Sequence, residues 1–599
     1  MRDIDRFSTR YSGVRVKKEK MEELVHLVVC PISAWGHLRP LFTLLSHLSH
    51  VHPQIRITVL SVPSVIPRIK HDLQKERWDY TSVPPLLAQE LIQRRESFLN
   101  KLRFIGLEKD RGVMNQMWDP KTMDRQAEEF GELLEDVLVE LLDQETGGKP
   151  HLNDSGDVIV NQERRGLFIL IAVRTTKRID HSGYEIEREE QWPKPKLFIY
   201  DGFQVGFIPA LEAATKRLRI PNRPKTMLFF PCLVSWAANC WATVEEGSDL
   251  ARAVEKTDRI KIATGLDEAE AMGIAFSTFT NDIIKTPGLD PIYDHEYYQC
   301  YRSLSSGVYE VDRAQNRMLS SLDPQFHSIH SLPSLMAVRR SLWHQREYCD
   351  GFIFSWDPEL EPEAREAFQR STGKSCWPMG LQLAPEIWEG VLPRVDEQGE
   401  KIVRWLDHVK DVRGSGSVLY ICFGSLFWPM RRPDLIETLL KGLVSNDQPF
   451  ILFASAPNSL VTEEMRDVVN HYEWGYMKEG FGPQDLVLKH DAVGFFLSHM
   501  GTNSVAESIL AGKPFLCMPY LGDQPDMTQR NSQKTFDGQS ILNTPEAVLT
   551  ELAQVLGRIR GEEGLRMREN VIKLRERIIK SWREGGARNM IESFCDNWA

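Results

Sequence analysis

Cysteine is scarce and unpatterned in this 599-residue chain: nine residues, no CxxC pair and an odd count. That usage excludes a disulfide framework and reads as reduced thiols, mostly buried filler, in a cytoplasmic protein. No apolar run approaches the roughly 18 residues needed to cross a bilayer, so no membrane span is expected. The leader MRDIDRFSTRYSGVRVKKEKMEE lacks an apolar core segment and reads as a loose tail rather than a signal peptide. A basic excess is absent too. Net charge is -11 and the isoelectric point near 5.9, which argues against a general nucleic-acid binder. It leaves room for one small anionic ligand held by local donors. There is no internal repeat and no low-complexity tract. No GxGxxG follows a predicted strand, and GSGS at 414–417 precedes its strand, which counts against a nicotinamide dehydrogenase.

A hydrophobic share of 42% and a charged share of 26% suit an ordinary globular protein, and the length calls for two or more domains. The run LVHLVVCPI (Leu24–Ile32) has strand length, and helical spacing follows in HLRPLFTLLSHLS. Further strands are expected at Ile55–Val62, Lys196–Asp201 and the run KTMLFFP. This alternation is the βαβ signature of a parallel sheet. Residues 146–195 are polar and charge-rich apart from GLFILIAV, and read as an insertion, a hairpin with mobile flanks. The stretch 237–376 reads as mostly helical. A polar connector, DEQGEKIVRWLDHVKDVRGSGS, precedes a second α/β unit with strands at Ser417–Gly424, Pro449–Ser455, Ala492–Ser498 and Lys513–Tyr520. The expected division is a tail over 1–23, a first unit over 24–380, a linker over 381–415, a second unit over 416–575 and a terminal helix over 576–599. In open parallel sheets ligands bind at the carboxyl ends of strands, so two facing units make a cleft.

The stretch HMGTNSVAES (His499–Ser508) falls at such an end. Gly501 lets backbone approach a ligand closely. Thr502, Asn503 and Ser504 open a helix whose free N–H groups and dipole suit a phosphate. Glu507 lies on the same face as Asn503, about 6 Å along the axis, where a carboxylate can accept from a ribose diol. Ordinary N-capping by Asn or Ser explains any one of these residues; the combination fits a nucleoside diphosphate with its ribose.

The flanks carry a resemblance. FGPQDLVLKHDAVGFFLSHMGTNSVAESILAGKPFLCMPYLGDQ (Phe481–Gln524) is similar to the nucleotide-sugar signature of the family 1 UDP-dependent glycosyltransferases, enzymes of GT-B fold. SVLYICFGS, WLD and HLVVCPISAWGHLRPLFTLLSHLS match as well, and a fungal-type member is expected. The resemblance covers both ends and is weak over 63–195 and 237–375. It implies two Rossmann-like α/β domains facing across a cleft. It implies that Phe481 stacks on uracil in place of the usual Trp, and that Gln484 borders base and ribose. His499 would contact the β-phosphate, Asn503 and Ser504 the α-phosphate, and Glu507 the ribose. Ser425 would lie near the phosphates, and Asp523 and Gln524 would bond sugar hydroxyls, Gln524 pointing to glucose.

Transfer to an alcohol needs a base. His37 in WGHLRP follows the first strand at a helix N-terminus, and Asp201 in IYDGF ends a later strand of the same unit. Surface capping would account for either alone; the family places its catalytic His and partner Asp at these motifs. The resemblance thus implies inverting transfer of a hexose, glucose first, from a UDP-sugar to a hydroxyl of a small, largely apolar acceptor, with no metal. The Asp3–Ile4–Asp5 triplet sits in the leader and is set aside as a metal site. The sequence departs from the pattern at Phe481, Met500 and Thr502, at bulky Leu426, Phe427 and Trp428, and after Gln524. A GT-B protein that holds a nucleotide sugar with little or no turnover is therefore the alternative.

Overall fold

In the computed structural model of the chain, two parallel sheets form, built on the predicted apolar runs and on further strands at Leu102–Glu108, Gly351–Phe354, Ser375–Pro378 and Gly475–Glu479. The structure describes residues 23–62, 65–108, 120–143, 192–204, 206–245, 248–266, 283–293, 345–425, 433–456, 459–519, 522–531 and 544–598, a few single positions, and the backbone of short strands within 151–188 and 309–320. The leader, the Asp3–Ile4–Asp5 triplet, Leu426 and residues 532–543 lie outside the described residues.

The first sheet contains β1 (Val25–Cys30), β2 (Ile55–Ser61), β3 (Leu102–Glu108), β4 (Pro195–Asp201), β5 (Lys225–Phe230), β6 (Gly351–Phe354) and β7 (Ser375–Pro378), in spatial order β7-β6-β5-β4-β1-β2-β3, all parallel. Every residue of β1 is buried, as expected of a strand covered on both faces. Beyond β3 the backbone of Leu167–Ala172 and Asp157–Gln162 continues the sheet antiparallel, so the expected hairpin extends the main sheet. β6 and β7 correct the helical reading of 237–376. GFIF and SCWP are only four residues each, too short to stand out from flanking helical spacing.

The second sheet runs β10-β9-β8-β11-β12, with β8 (Val418–Cys422), β9 (Phe450–Ala454), β10 (Gly475–Glu479), β11 (Val493–Ser498) and β12 (Phe515–Cys517), again all parallel. Between the sheets, the polar connector carries a helix, Glu397–Arg413, capped by Asp396, which accepts from Gly399 N at 2.7 Å. Ile402, Leu406 and Val409 of that helix are buried in one cluster with Val418, Tyr420 and Phe496. It is thus a piece of the second core. Helix Glu562–Glu584 adds Val571 and Ile578 to the same cluster. Helix Gly586–Trp598 instead packs Ile591, Phe594 and Cys595 against the first sheet. The crossing falls at Gly585–Gly586, where a Cβ would meet Glu359 within 3 Å, and Gly586 N donates to Glu359 Oε1 at 2.8 Å.

Candidate active site

Both sheets present the carboxyl ends of two neighbouring strands at the point where the strand order reverses, the place where open α/β sheets bind ligands. In the first sheet those strands are β1 and β4, paired up to Cys30 opposite Tyr200. The chain leaves β1 into α1 (Trp35–Val51), which carries His37 in its first turn. β4 ends on Asp201. The register therefore brings together two residues 164 positions apart: His37 Nδ1 lies 2.7 Å from Asp201 Oδ2. Asp201 is fully buried, and its Oδ1 accepts from Phe203 N at 2.9 Å. It is not a helix cap, since the next helix, α2 (Phe207–Arg217), begins after Gly206. With Nδ1 committed to the carboxylate, the His37 ring packs against Phe203, at 5.2 Å between centroids, and Phe230, at 5.4 Å. Trp236, in α3 (Val234–Trp241), stacks on Phe230 at 4.9 Å. Gly202 is required here, because a Cβ would lie 2.3 Å from the Phe230 ring. Of the two tryptophans of α3, Trp241 is core and Trp236 is half-buried against Phe230.

In the second sheet the equivalent strands are β8 and β11, paired up to Cys422 opposite Ser498. After β8, Gly424 turns with φ +78; after β11, His499 is followed by Met500 at φ +66 and Gly501. A Cβ at Gly424 or at Gly501 would lie 2.5 Å from His499 Nε2. The imidazole is thus slotted between two glycines. Burial pulls its pKa down to about 4, so the ring is neutral at pH 7, and Nδ1 has no partner among the described residues. A buried nitrogen in that state calls for a ligand atom. Met500 is fully buried in the left-handed region, a conformation that costs a non-glycine residue and gathers at functional sites. Ser425 lies next to Gly424, half-buried.

α4 (Thr502–Ala511) starts from Gly501 with no side-chain cap, so Asn503 and Ser504 are not capping and the helix keeps its first N–H groups open to the cleft. The Thr502 hydroxyl donates to Asp523 Oδ2. Burial pushes the Asp523 carboxyl up to about 6, against the pull of Thr502 and of nearby His37. Gln524 is buried at the start of the next helix (Gln524–Asn531). Gln484 accepts from Tyr420 Oη at 2.9 Å and donates to Glu507 Oε2 at 2.7 Å. Phe481 is half exposed, and the Arg68 guanidinium sits 5.6 Å from its ring and 4.4 Å from that of Trp35. Among the bulky departures, Trp428 is buried and donates to Leu460 O at 3.1 Å, and Phe427 lies 6.0 Å from the His499 ring.

The two sites meet. Asn503 Nδ2 donates to Gly36 O at 2.9 Å, and Arg39 pairs with Glu507 Oε1. Sequence reasoning overlooked Arg39, Tyr420, Gly424, Phe203 and Phe230. Arg39 is two residues from His37, and Gly424 ends a strand, so both had a local signal.

The family model for UDP-glucoronosyl and UDP-glucosyl transferase matches residues 460–576. The 7-deoxyloganetic acid glucosyltransferase of Catharanthus roseus is 32% identical over 198 residues, 32% of this chain and 39% of that protein. The anthocyanidin 3-O-glucosyltransferase of Hordeum vulgare is 31% identical over 257 residues, 40% of this chain and 50% of that protein. The chain thus spans about half the length, or less, of these curated relatives. A ugt transferase from Siraitia grosvenorii, solved in complex with UDP, superposes over 96% of this chain and 99% of its own with a TM-score of 0.56 at 16% identity, which shows a shared fold. With two facing parallel sheets and this match, the fold is GT-B, and residues 460–576 carry the UDP-glucoronosyl and UDP-glucosyl transferase signature.

Proposed function

We propose that the protein transfers a hexose, glucose first, from a UDP-sugar to a hydroxyl of a small, largely apolar acceptor, with inversion. The observation that carries this reading is the meeting of the His37–Asp201 pair with the open N-terminus of α4, joined through Asn503 and Gly36. His37 takes the acceptor proton on the nitrogen not held by Asp201. The acceptor oxygen forms its bond to C1 of the sugar as the bond from C1 to the UDP oxygen breaks. Asp201 balances the imidazolium. UDP leaves toward the N–H groups of α4 and His499. Phe481 offers an aromatic face to the base, and Asp523 and Gln524 face the sugar hydroxyls. Phe203, Phe230 and Trp236 form the apolar wall for the acceptor. No step calls for a metal.

The relatives named above are glucosyltransferases by name, which supports glucose as the first donor to try. Of the eight cysteines among the described residues seven are buried, which fits thiols in a reducing cytoplasm. Among the described residues no helix is long and apolar enough to cross a membrane.

Calorimetric titration with UDP-glucose and with NAD, followed by an assay of UDP release over phenolic and sterol acceptors, tests the reading. UDP-glucose binding with UDP release is expected. Tight binding with no release on any acceptor would favour a nucleotide-sugar-binding protein without turnover. No binding of UDP or UDP-glucose would sink the reading.

A further inference from the structure

Pro40 is the sixth residue of α1, inside the helix. It has no N–H, so the carbonyl four residues back, that of Gly36, loses its helical partner. Asn503 of the second unit supplies the missing donor at 2.9 Å. One residue before Pro40, Arg39 reaches Glu507, one turn beyond Asn503 on α4. Burial works against the Arg39 charge, and Glu507, with Asp485 and Asp72 further off, raises its pKa in spite of it. The first turn of α1 is thus fastened to the first two turns of α4 at two points, and His37 lies between them in sequence. Glu507 is also braced by Gln484 and, through it, by Tyr420 of β8. A carboxylate offers about four lone-pair sites, so Arg39 and Gln484 leave capacity for a ribose diol on the same group.

We propose that Arg39 is a positioning residue for the transfer: by docking α1 onto α4 through Glu507 it sets His37 in register with the donor. This rests on the reading of function above. The arrangement makes the base and the donor site move as one body, so misplacement of the dock appears in turnover before it appears in nucleotide affinity.

Arg39→Met, Arg39→Lys and Glu507→Gln are compared with wild type by kcat at saturating substrates, UDP affinity by calorimetry, and amide hydrogen exchange over Trp35–Arg39. Arg39→Met is expected to lower kcat about tenfold or more while UDP affinity changes less than about threefold; Arg39→Lys restores most of the loss. In a His37→Ala background Arg39→Met is expected to cost nothing further, because it acts through His37. Exchange over the first turn of α1 rises in Arg39→Met and stays as in wild type over the rest of the helix. Unchanged exchange would overturn the proposal whether or not turnover is found. So would an Arg39→Met effect confined to UDP affinity, or one that persists in full beside His37→Ala. A wild type that binds UDP without turnover would sink the transferase reading, and the exchange measurement would still decide whether the dock exists.

Discussion

The two units of this protein hold their functional groups at the same topological place and build them in opposite ways. In the second unit the groups come from one continuous stretch, Phe481–Gln524, plus the Gly424 turn. There the work is done by backbone: a helix start without a cap, two glycines, and an imidazole slotted between them. In the first unit the pair is assembled from residues 164 positions apart, His37 and Asp201, brought together by the register of β1 with β4. Backbone donors suit a diphosphate whatever is attached to it, whereas a proton transfer needs one particular nitrogen in one orientation. The first unit should therefore fail abruptly when one side chain is removed, and the second by degrees.

Replacing His37 with Ala gives the largest expected effect. UDP release should fall by about 10²–10⁴-fold in kcat, the range for losing a general base. Gly424→Ala comes next. It forces a left-handed φ on a side chain whose Cβ would overlap His499, so UDP affinity should fall by about ten- to a hundredfold, the value of a hydrogen bond to a charged group. A smaller effect is expected from pH. Burial holds the Asp523 carboxyl near 6, above the usual carboxylate value, so the ionised form, the one the proposed function sets against the sugar hydroxyls, is lost as pH falls through 6. UDP-glucose affinity should weaken below that pH by up to about tenfold per pH unit, and Asp523→Asn should flatten the change. Smallest is Trp236→Ala, which removes the ring stacked on Phe230. It should raise acceptor KM by an amount corresponding to about 0.5–1.5 kcal/mol and leave donor affinity unchanged.

The difference between the units also decides how much of each could be read from sequence. A site made of consecutive residues at a strand-to-helix turn carries its own context, so His499, Gly501, Asn503, Ser504 and Glu507 were legible together. His37 and Asp201 were each legible as residues at strand ends, but their contact depends on strand order, which local spacing does not encode. β6 and β7 were hidden by their length, and the helix Glu397–Arg413 by a polar surface that masks its buried Ile402, Leu406 and Val409. The partner of Arg39 was out of reach because it sits 468 positions away. Pro40 inside α1 leaves the Gly36 carbonyl without a helical donor, and the donor that replaces it, Asn503, comes from the second unit, 467 positions away.

The central claim is that the second unit holds the donor and the first removes the proton. Titrating UDP into His37→Ala and His499→Ala side by side tests it most directly. The account predicts that His37→Ala binds UDP as wild type does and that His499→Ala binds it at least about tenfold more weakly. Loss of UDP binding in His37→Ala, or wild-type binding in His499→Ala, would contradict it.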